Sequence, residues 1–336
     1  MNDDIKFMTE AISLAKQALG QTSPNPLVGS VIVKAGKIIA RGWHQKAGEG
    51  HAEVNALANA TEDVKGATIY VTLEPCSSWG RTGPCSQAVI EAGLQRVVIG
   101  TLDPNPDHAG DAVKILEDAG LDVVHGVCEK ECWNLNLAFF KWIQARRPMV
   151  MLKMAMTLDG KIATKSGQSQ WITGPEAREE VQDLRKWADA IMVGGETVRQ
   201  DDPSLTVRSE GDWAYQPQRY IWSRRSDFDP KLKVFNDDGK TAEVVSPQTI
   251  DEWEDFLDDL GSKNMTSLLL EGGGELAASA LQAGVVDEVQ FFIATKILGG
   301  RDSRTVVAGE NPMSLEKSLV LQNRTIRQVG NDLLVQ

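Results

Sequence analysis

The chain has 336 residues, 42% of them hydrophobic, and a net charge of −12. Its length predicts about two domains, and no apolar run approaches the ~18 residues of a membrane-spanning helix. The acidic balance and the lack of a basic arm argue against a nucleic-acid surface, which needs a positive field. Four cysteines in a chain of this size do not make a disulfide framework. The opening Met1-Asn2-Asp3-Asp4 lacks the basic and apolar regions of a secretory leader, so the cytoplasm is the expected compartment.

Taken in chain order, Ile5, Met8, Ile12, Ala15 and Leu19 recur at helical spacing over 4–19, and Gly20 is placed to stop the helix. A loop follows at 23–29, then strands at 30–34 and 38–42 joined by a tight turn. Asn25 lies between Pro24 and Pro26, so its backbone is stiff. That suits either a turn asparagine or a side chain that must hold a substrate. A helix over 51–60 would place His51 and Glu53 in its first turn. Strands are expected at 68–73, 96–101 and 122–125, and helices at 85–92 and 111–119. A single amphipathic helix is expected over 129–144, carrying Trp133, Leu137, Phe140 and Trp142. Cys128 and Cys132 read as reduced thiols facing a core. The alternation gives a layered α/β/α domain. Helical periodicity ends at Arg146-Arg147-Pro148, where proline disfavours helix at the preceding residue, so the domains are drawn at 1–146 and 147–336.

The second half repeats the alternation. A strand at 149–156 leads to a turn at 158–161. Thr173 and Glu176 have the spacing of a capping box for a helix reaching Trp187. Strands follow at 190–193, 220–223 and 243–246. The helix at 251–260 faces inward with Trp253, Phe256, Leu257 and Leu260 and turns its acids to water. A strand at 267–270 runs into Glu271-Gly272-Gly273-Gly274, then a helix at 275–283, a strand at 287–294 and closing segments near 318–335.

Two stretches carry chemistry. His51, Cys76 and Cys85 offer the imidazole and thiolates that zinc takes in tetrahedral geometry, and three protein ligands leave the fourth position for water. Glu53 is not needed as a ligand and stands where it could move protons. The pattern fits the H-x-E…P-C…C signature of zinc deaminases, although eight residues, 77–84, separate the two cysteines. A structural zinc, or ordinary buried thiols, are the plainer readings. The strand–glycine–helix passage at 271–275 could cradle a phosphate or simply turn, and it is not a G-x-G-x-x-G fingerprint. Arg185, Arg199 and Arg208 could hold a phosphate through bidentate guanidinium contacts or serve solubility.

The motif set Ser23-Pro24-Asn25-Pro26-Leu27-Val28-Gly29, His44, His51-Ala52-Glu53, Glu74-Pro75-Cys76, Cys85 and Asp103-Pro104-Asn105-Pro106 resembles the deaminase domain of the bifunctional riboflavin biosynthesis family. The second half, through Lys153-Met154-Ala155-Met156-Thr157-Leu158-Asp159-Gly160-Lys161, Ser169-Gln170-Trp171-Ile172-Thr173, Asp201-Asp202-Pro203-Ser204-Leu205-Thr206-Val207-Arg208 and Glu271-Gly272-Gly273, resembles its reductase domain. The resemblance covers nearly the whole chain. It implies an α/β architecture: a cytidine-deaminase-like domain followed by a dihydrofolate-reductase-like domain, with zinc and NADPH as cofactors. The implied substrate is 2,5-diamino-6-ribosylamino-4(3H)-pyrimidinone 5′-phosphate, deaminated and then reduced to the ribityl compound. Carried over by motif, Glu53 is catalytic, His51, Cys76 and Cys85 hold zinc, and Asn25, His44 and Arg81 contact the pyrimidine substrate. Cofactor positions fall on Ala155, Trp171, Thr197, Asp201, Ser223 and the stretch Gly273, Gly274, Glu275, Leu276, Ala277, Ala278 and Ser279. Substrate positions fall on Ser169, Arg185, Leu205, Arg208 and Glu271. The family also implies a homodimer through the reductase domains. Ser78 stands where the family usually has histidine, Arg81 where lysine is common, and 107–111 is more acidic than the family's glycine-rich turn. A zinc deaminase of another base or nucleoside is the alternative, and it leaves the second domain unexplained.

Overall fold

A computed structural model describes residues 2–79, 83–105, 109–208, 213–236, 241–310 and 314–336. The chain divides into two compact units, Met1–Arg146 and Arg147–Gln336.

In the first unit the order is α1 (Asn2–Lys16), β1 (Gly29–Lys34), β2 (Lys37–Trp43), α2 (Ala52–Ala58), β3 (Thr68–Leu73), α3 (Cys85–Glu91), β4 (Arg96–Thr101), α4 (Asp111–Asp118), β5 (Asp122–His125), α5 (Glu129–Leu135) and α6 (Leu137–Ala145). The sheet order is β2-β1-β3-β4-β5. β3, β4 and β5 run parallel, while β1 is antiparallel to β2 and β3. Because successive strand residues point to opposite faces, Val31, Tyr70 and Val98 pack under α1 with Phe7, Met8 and Cys132. Ile32, Ile69, Val71, Val97 and Ile99 pack on the other face against Ala56, Val89 and Leu116. Burial on both faces explains why β3 and β4 read as unbroken apolar runs.

The expected helix over 129–144 is two helices. The break is at Asn136, whose backbone leaves the helical region (φ −124°, ψ 20°). Its buried side chain accepts from the Leu27 N–H at 2.7 Å and donates to the Leu27 carbonyl at 2.9 Å. Two long-range hydrogen bonds in the interior outweigh one turn of local helix. Helix α1 likewise ends at Lys16, before the predicted Gly20 stop.

The second unit comprises β6 (Met149–Thr157), β7 (Lys161–Ala163), α7 (Pro175–Trp187), β8 (Ala190–Gly194), α8 (Gly195–Asp201), β9 (Gln218–Trp222), α9 (Lys233–Asn236), β10 (Glu243–Val245), α10 (Ile250–Ser262), β11 (Ser267–Glu271), α11 (Gly274–Gln282), β12 (Glu288–Ala294), β13 (Arg304–Thr305), β14 (Ile326–Val329) and β15 (Asp332–Val335). The main sheet runs β10-β9-β8-β11-β6-β12-β15-β14. It is parallel from β10 to β12 and antiparallel at β15 and β14. Leu152, Met192, Leu268 and Leu270 meet Trp253, Leu257 and Leu276 of α10 and α11 on one face. Met151, Ile191, Val193 and Leu269 meet Val198, Leu205 and Val234 on the other.

The capping box expected at Thr173 is absent. Gly174 is the N-cap of α7, with Pro175 in the first turn, and no side chain caps it; the Gly174 N–H goes instead to the Asp332 carboxylate at 2.6 Å. A capping box does form on α10, where Thr249 and Glu252 exchange both hydrogen bonds. The short β7, α8, α9 and β13 carry too few residues to show a period in sequence.

Candidate active sites

In open α/β sheets, ligands gather beyond the carboxyl ends of the strands, and both clusters of predicted residues lie there. In the first unit, β3 runs into Glu74-Pro75-Cys76. Cys85 opens α3, and His51 is the N-cap residue of α2. The His51, Cys76 and Cys85 ligand atoms all lie within 4.8 Å of one another. His51 Nδ1 is 3.2 Å from Cys85 Sγ and 3.5 Å from Cys76 Sγ. A tetrahedral zinc with nitrogen at ~2.0 Å and sulfur at ~2.3 Å separates N and S by about 3.5 Å, so the donor set fits that ion in both chemistry and spacing.

The electrostatics favour thiolate. Cys76 Sγ accepts the Cys85 backbone N–H at 3.2 Å, at the start of a helix. Hydrogen bonding from Cys85, helped by His51, holds the Cys76 thiol down at about 4, and the same contact with burial pushes Cys85 up. Glu53, in the first turn of α2, is 3% exposed, and burial pushes its carboxyl up to about 7. His44 Nδ1 lies 3.0 Å from the Gly50 carbonyl, and its Nε2 lies 3.1 Å from Asn25 Nδ2. A carbonyl only accepts, so the proton sits on Nδ1 and Nε2 accepts from the Asn25 amide. Burial lowers the His44 pKa, in keeping with that neutral ring. Asn25 Oδ1 is thereby turned into the acceptor end of a fixed pair.

Arg81 lies outside the described residues, as do Asp107 and His108. Ser78 is exposed, and Trp79 beside it is 81% exposed. Glu74, which the sequence offers only as part of the motif leading into Cys76, collects the backbone N–H groups of Asp103, Gly110 and Ala112 at 3.0–3.1 Å. It ties the loop after β4 to the loop that carries Cys76.

The second unit has a cavity of about 1070 Å³ along the carboxyl ends of β6, β11, β8 and β9. Of the predicted cofactor positions, Ala155, Trp171, Thr197, Asp201 and Ser223 line it, with Gly273, Gly274, Glu275 and Leu276. Ala277, Ala278 and Ser279 do not. Ala277 and Ala278 are buried in helix α11, Ala277 within the core, and the Ser279 hydroxyl accepts from the Trp253 indole at 3.0 Å. The helical period turns these three away from the cavity that their neighbours face. Gly272 has φ +83° and Gly273 φ +94°, and a Cβ on Gly272 would meet nothing within 4 Å. The loop thus offers bare backbone and a helix start to an anionic group, which fits the diphosphate of a dinucleotide.

All five predicted substrate positions, Ser169, Arg185, Leu205, Arg208 and Glu271, line the same cavity. Ser169 donates to Asp201 at 2.9 Å. Arg185 makes two bonds to the Glu271 carboxylate at 2.9 and 2.8 Å and a third to the Thr206 carbonyl at 2.9 Å. Arg185 is therefore committed within the protein and is not a free phosphate clamp. Arg199 is paired with Glu196 and Asp227. Of the three arginines picked out in the sequence, only exposed Arg208 has a guanidinium with no hydrogen-bond or ion-pair partner among the described residues, although its charge helps to keep Glu271 ionised. Lys153 was missed as a site residue. Its ammonium lies 3.7 Å from Glu271, and burial lowers its pKa. The signal was a single charge within the otherwise apolar run Met149–Met156. Burial opposes the ionised form of Glu271, but the Arg185 and Lys153 charges outweigh it and hold the carboxyl at about 2.

Residues 148–335 match the RibD C-terminal domain family, and residues 1–101 match the cytidine and deoxycytidylate deaminase zinc-binding region. The riboflavin biosynthesis protein RibD of Actinobacillus pleuropneumoniae is 43% identical, covering 99% of this chain and 94% of the relative. The Escherichia coli protein is 41% identical, covering 98% of each. Among solved structures, RibD of Acinetobacter baumannii superposes with a TM-score of 0.88 at 37% identity, covering 99% of this chain and 98% of that one. The Thermotoga maritima diaminohydroxyphosphoribosylaminopyrimidine deaminase/5-amino-6-(5-phosphoribosylamino)uracil reductase superposes with a TM-score of 0.87 at 35% identity, with the same coverage. Zinc-ligand geometry in one unit, a dinucleotide cradle in the other and relatives matched over nearly their full length lead to one conclusion: the chain belongs to the RibD family, the bifunctional enzymes of riboflavin biosynthesis in which a zinc-dependent deaminase is joined to an NADPH-dependent reductase.

Proposed function

We propose that the first unit hydrolyses the 2-amino group of 2,5-diamino-6-ribosylamino-4(3H)-pyrimidinone 5′-phosphate, and that the second reduces the ribosyl group of the product to ribityl. The observation that carries this reading is the buried Glu53 carboxyl one residue into the helix capped by His51, beside Cys76 and Cys85. A purely structural metal site has no use for such a carboxyl.

His51, Cys76 and Cys85 would hold the zinc, which when bound would supply the Lewis acidity that makes water a nucleophile near neutral pH. Glu53 takes a proton from the attacking water and delivers it to the departing amine nitrogen. A carboxyl near 7 can do both at neutral pH. Asn25 presents Oδ1 to a ring or amine N–H, and His44 fixes the amide in that orientation. Treating the purified chain with a zinc chelator should stop ammonia release while NADPH consumption on supplied deaminated substrate continues. Ammonia release that survives complete loss of zinc would contradict the assignment.

In the second unit, Gly272–Leu276 would hold the cofactor, which when bound would supply the hydride. Opening a ribosyl ring reductively adds that hydride to the anomeric carbon, breaks its bond to the ring oxygen and puts a proton on that oxygen. Lys153, an ammonium lining the cavity with its pKa lowered, is the proton donor in this reading. Ser169 and Arg208 hold the polar end of the substrate, and Glu271 keeps Lys153 in place.

We further infer a homodimer formed through the reductase unit. β14 is an edge strand, and Ile326 on it is exposed, together with Leu315 at 90% and Val320 at 83%. Apolar side chains on an open edge call for a partner. Light scattering should give twice the chain mass, and Ile326→Lys with Val320→Lys should give the single-chain mass; a monomeric parent protein would refute the dimer. The compartment we infer is the cytoplasm, where the four free cysteines stay reduced.

A further inference from the structure

We propose that Arg224, on the turn after β9, recognises the 2′-phosphate of the dinucleotide and sets the preference for NADPH over NADH. The inference rests on the cofactor reading of the second unit. Three observations carry it. First, the sheet order places β8 and β9 one and two strands beyond β11, roughly 5 and 10 Å across the sheet from the glycine cradle. Ala155, on β6, lies on the opposite side of that cradle. A dinucleotide whose diphosphate rests on Gly272–Gly274 with its nicotinamide toward Ala155 therefore carries its adenosine toward β9. Second, Arg224 lines that end of the cavity, and its guanidinium has no hydrogen-bond or ion-pair partner among the described residues. Its neighbours are committed: Arg225 makes two bonds to Asp227 at 3.1 and 2.7 Å, and Arg199 shares the same carboxylate at 3.1 Å. Third, the turn is fixed. The Ser223 hydroxyl donates to the Arg225 carbonyl at 2.7 Å and accepts the Arg225 N–H at 3.1 Å, which holds Arg224 at the tip. A guanidinium suits a phosphate dianion through paired N–H donors, and NADH has no group there to meet it.

The test is calorimetric titration of the full chain with adenosine 2′,5′-bisphosphate, 5′-AMP and ribose 5-phosphate, on the parent protein, Arg224→Ala and Arg224→Lys. The exposed position leaves the fold intact in both variants. Arg224→Ala should weaken the bisphosphate about 10- to 100-fold, leave 5′-AMP unchanged and bring the dissociation constants of NADPH and NADH together. Arg224→Lys should recover part of the loss. Unchanged bisphosphate affinity in Arg224→Ala, with NADPH still bound, overturns the role of Arg224. A loss confined to ribose 5-phosphate overturns it in favour of the substrate phosphate. Failure of the parent protein to bind NADPH at all overturns the cofactor reading beneath it.

Discussion

Glu53→Ala is expected to reduce ammonia release by about 10²- to 10⁴-fold, the range that positioned proton transfer contributes. Zinc content and NADPH consumption on deaminated substrate should stay unchanged. Glu53 is in the first turn of α2 and fully buried, but it is not one of the three converging ligand atoms, so its removal leaves the metal cage standing. What is lost is the carboxyl placed to accept a proton from water and return it to the amine. Glu53→Gln keeps the shape and hydrogen-bonding capacity but cannot carry the proton, and should be nearly as inactive. Metal analysis of the purified variants, alongside the two activities, checks the prediction. Variants that lose zinc and both activities together would show that Glu53 holds the fold rather than the reaction.

The second large effect concerns stability. Arg185 is 7% exposed, and its guanidinium answers both oxygens of Glu271. Arg185→Leu leaves a buried carboxylate with Lys153, at 3.7 Å, as its remaining ion-pair partner and the Thr206 carbonyl without its donor. Breaking a buried pair by removing one partner costs about 3–5 kcal/mol, so the melting temperature of the second unit should fall by roughly 6–20 °C. A fall of less than about 2 °C would contradict the ion pair. The same triad sets an acid limb. Glu271 is held at about 2 against an ordinary 4.5, so its folded-state pKa lies below its unfolded one. The stabilisation is then fully present above pH 4.5 and is lost as pH falls toward 2, on the order of 3 kcal/mol in all. Melting curves across that range should show the loss in the parent protein, and a flatter limb in Glu271→Gln.

Much of this was legible in the sequence because the physics involved is local or periodic. β3, β4 and β5 match their expected spans residue for residue, since a short apolar run between turn signals has few other ways to be buried. The zinc ligands were legible as residue types. What was not legible depended on contacts remote in sequence. The break at Asn136 is set by Leu27, 109 residues away. The commitment of Arg185 is set by Glu271, 86 residues away. Glu74 gathers N–H groups from a loop about 30 residues on. Ala277, Ala278 and Ser279 continued a motif by neighbourhood, but the turn of α11 takes them into the interior.

The most direct test of the account follows ammonia and absorbance at 340 nm together, with the purified chain, the diaminopyrimidinone ribosyl phosphate and NADPH. Two coupled active units predict one ammonia for each NADPH oxidised, with NADPH loss trailing ammonia release by a lag that vanishes when deaminated substrate is supplied. NADPH oxidation on the diamino substrate without ammonia, or ammonia release that never leads to NADPH oxidation, would contradict it.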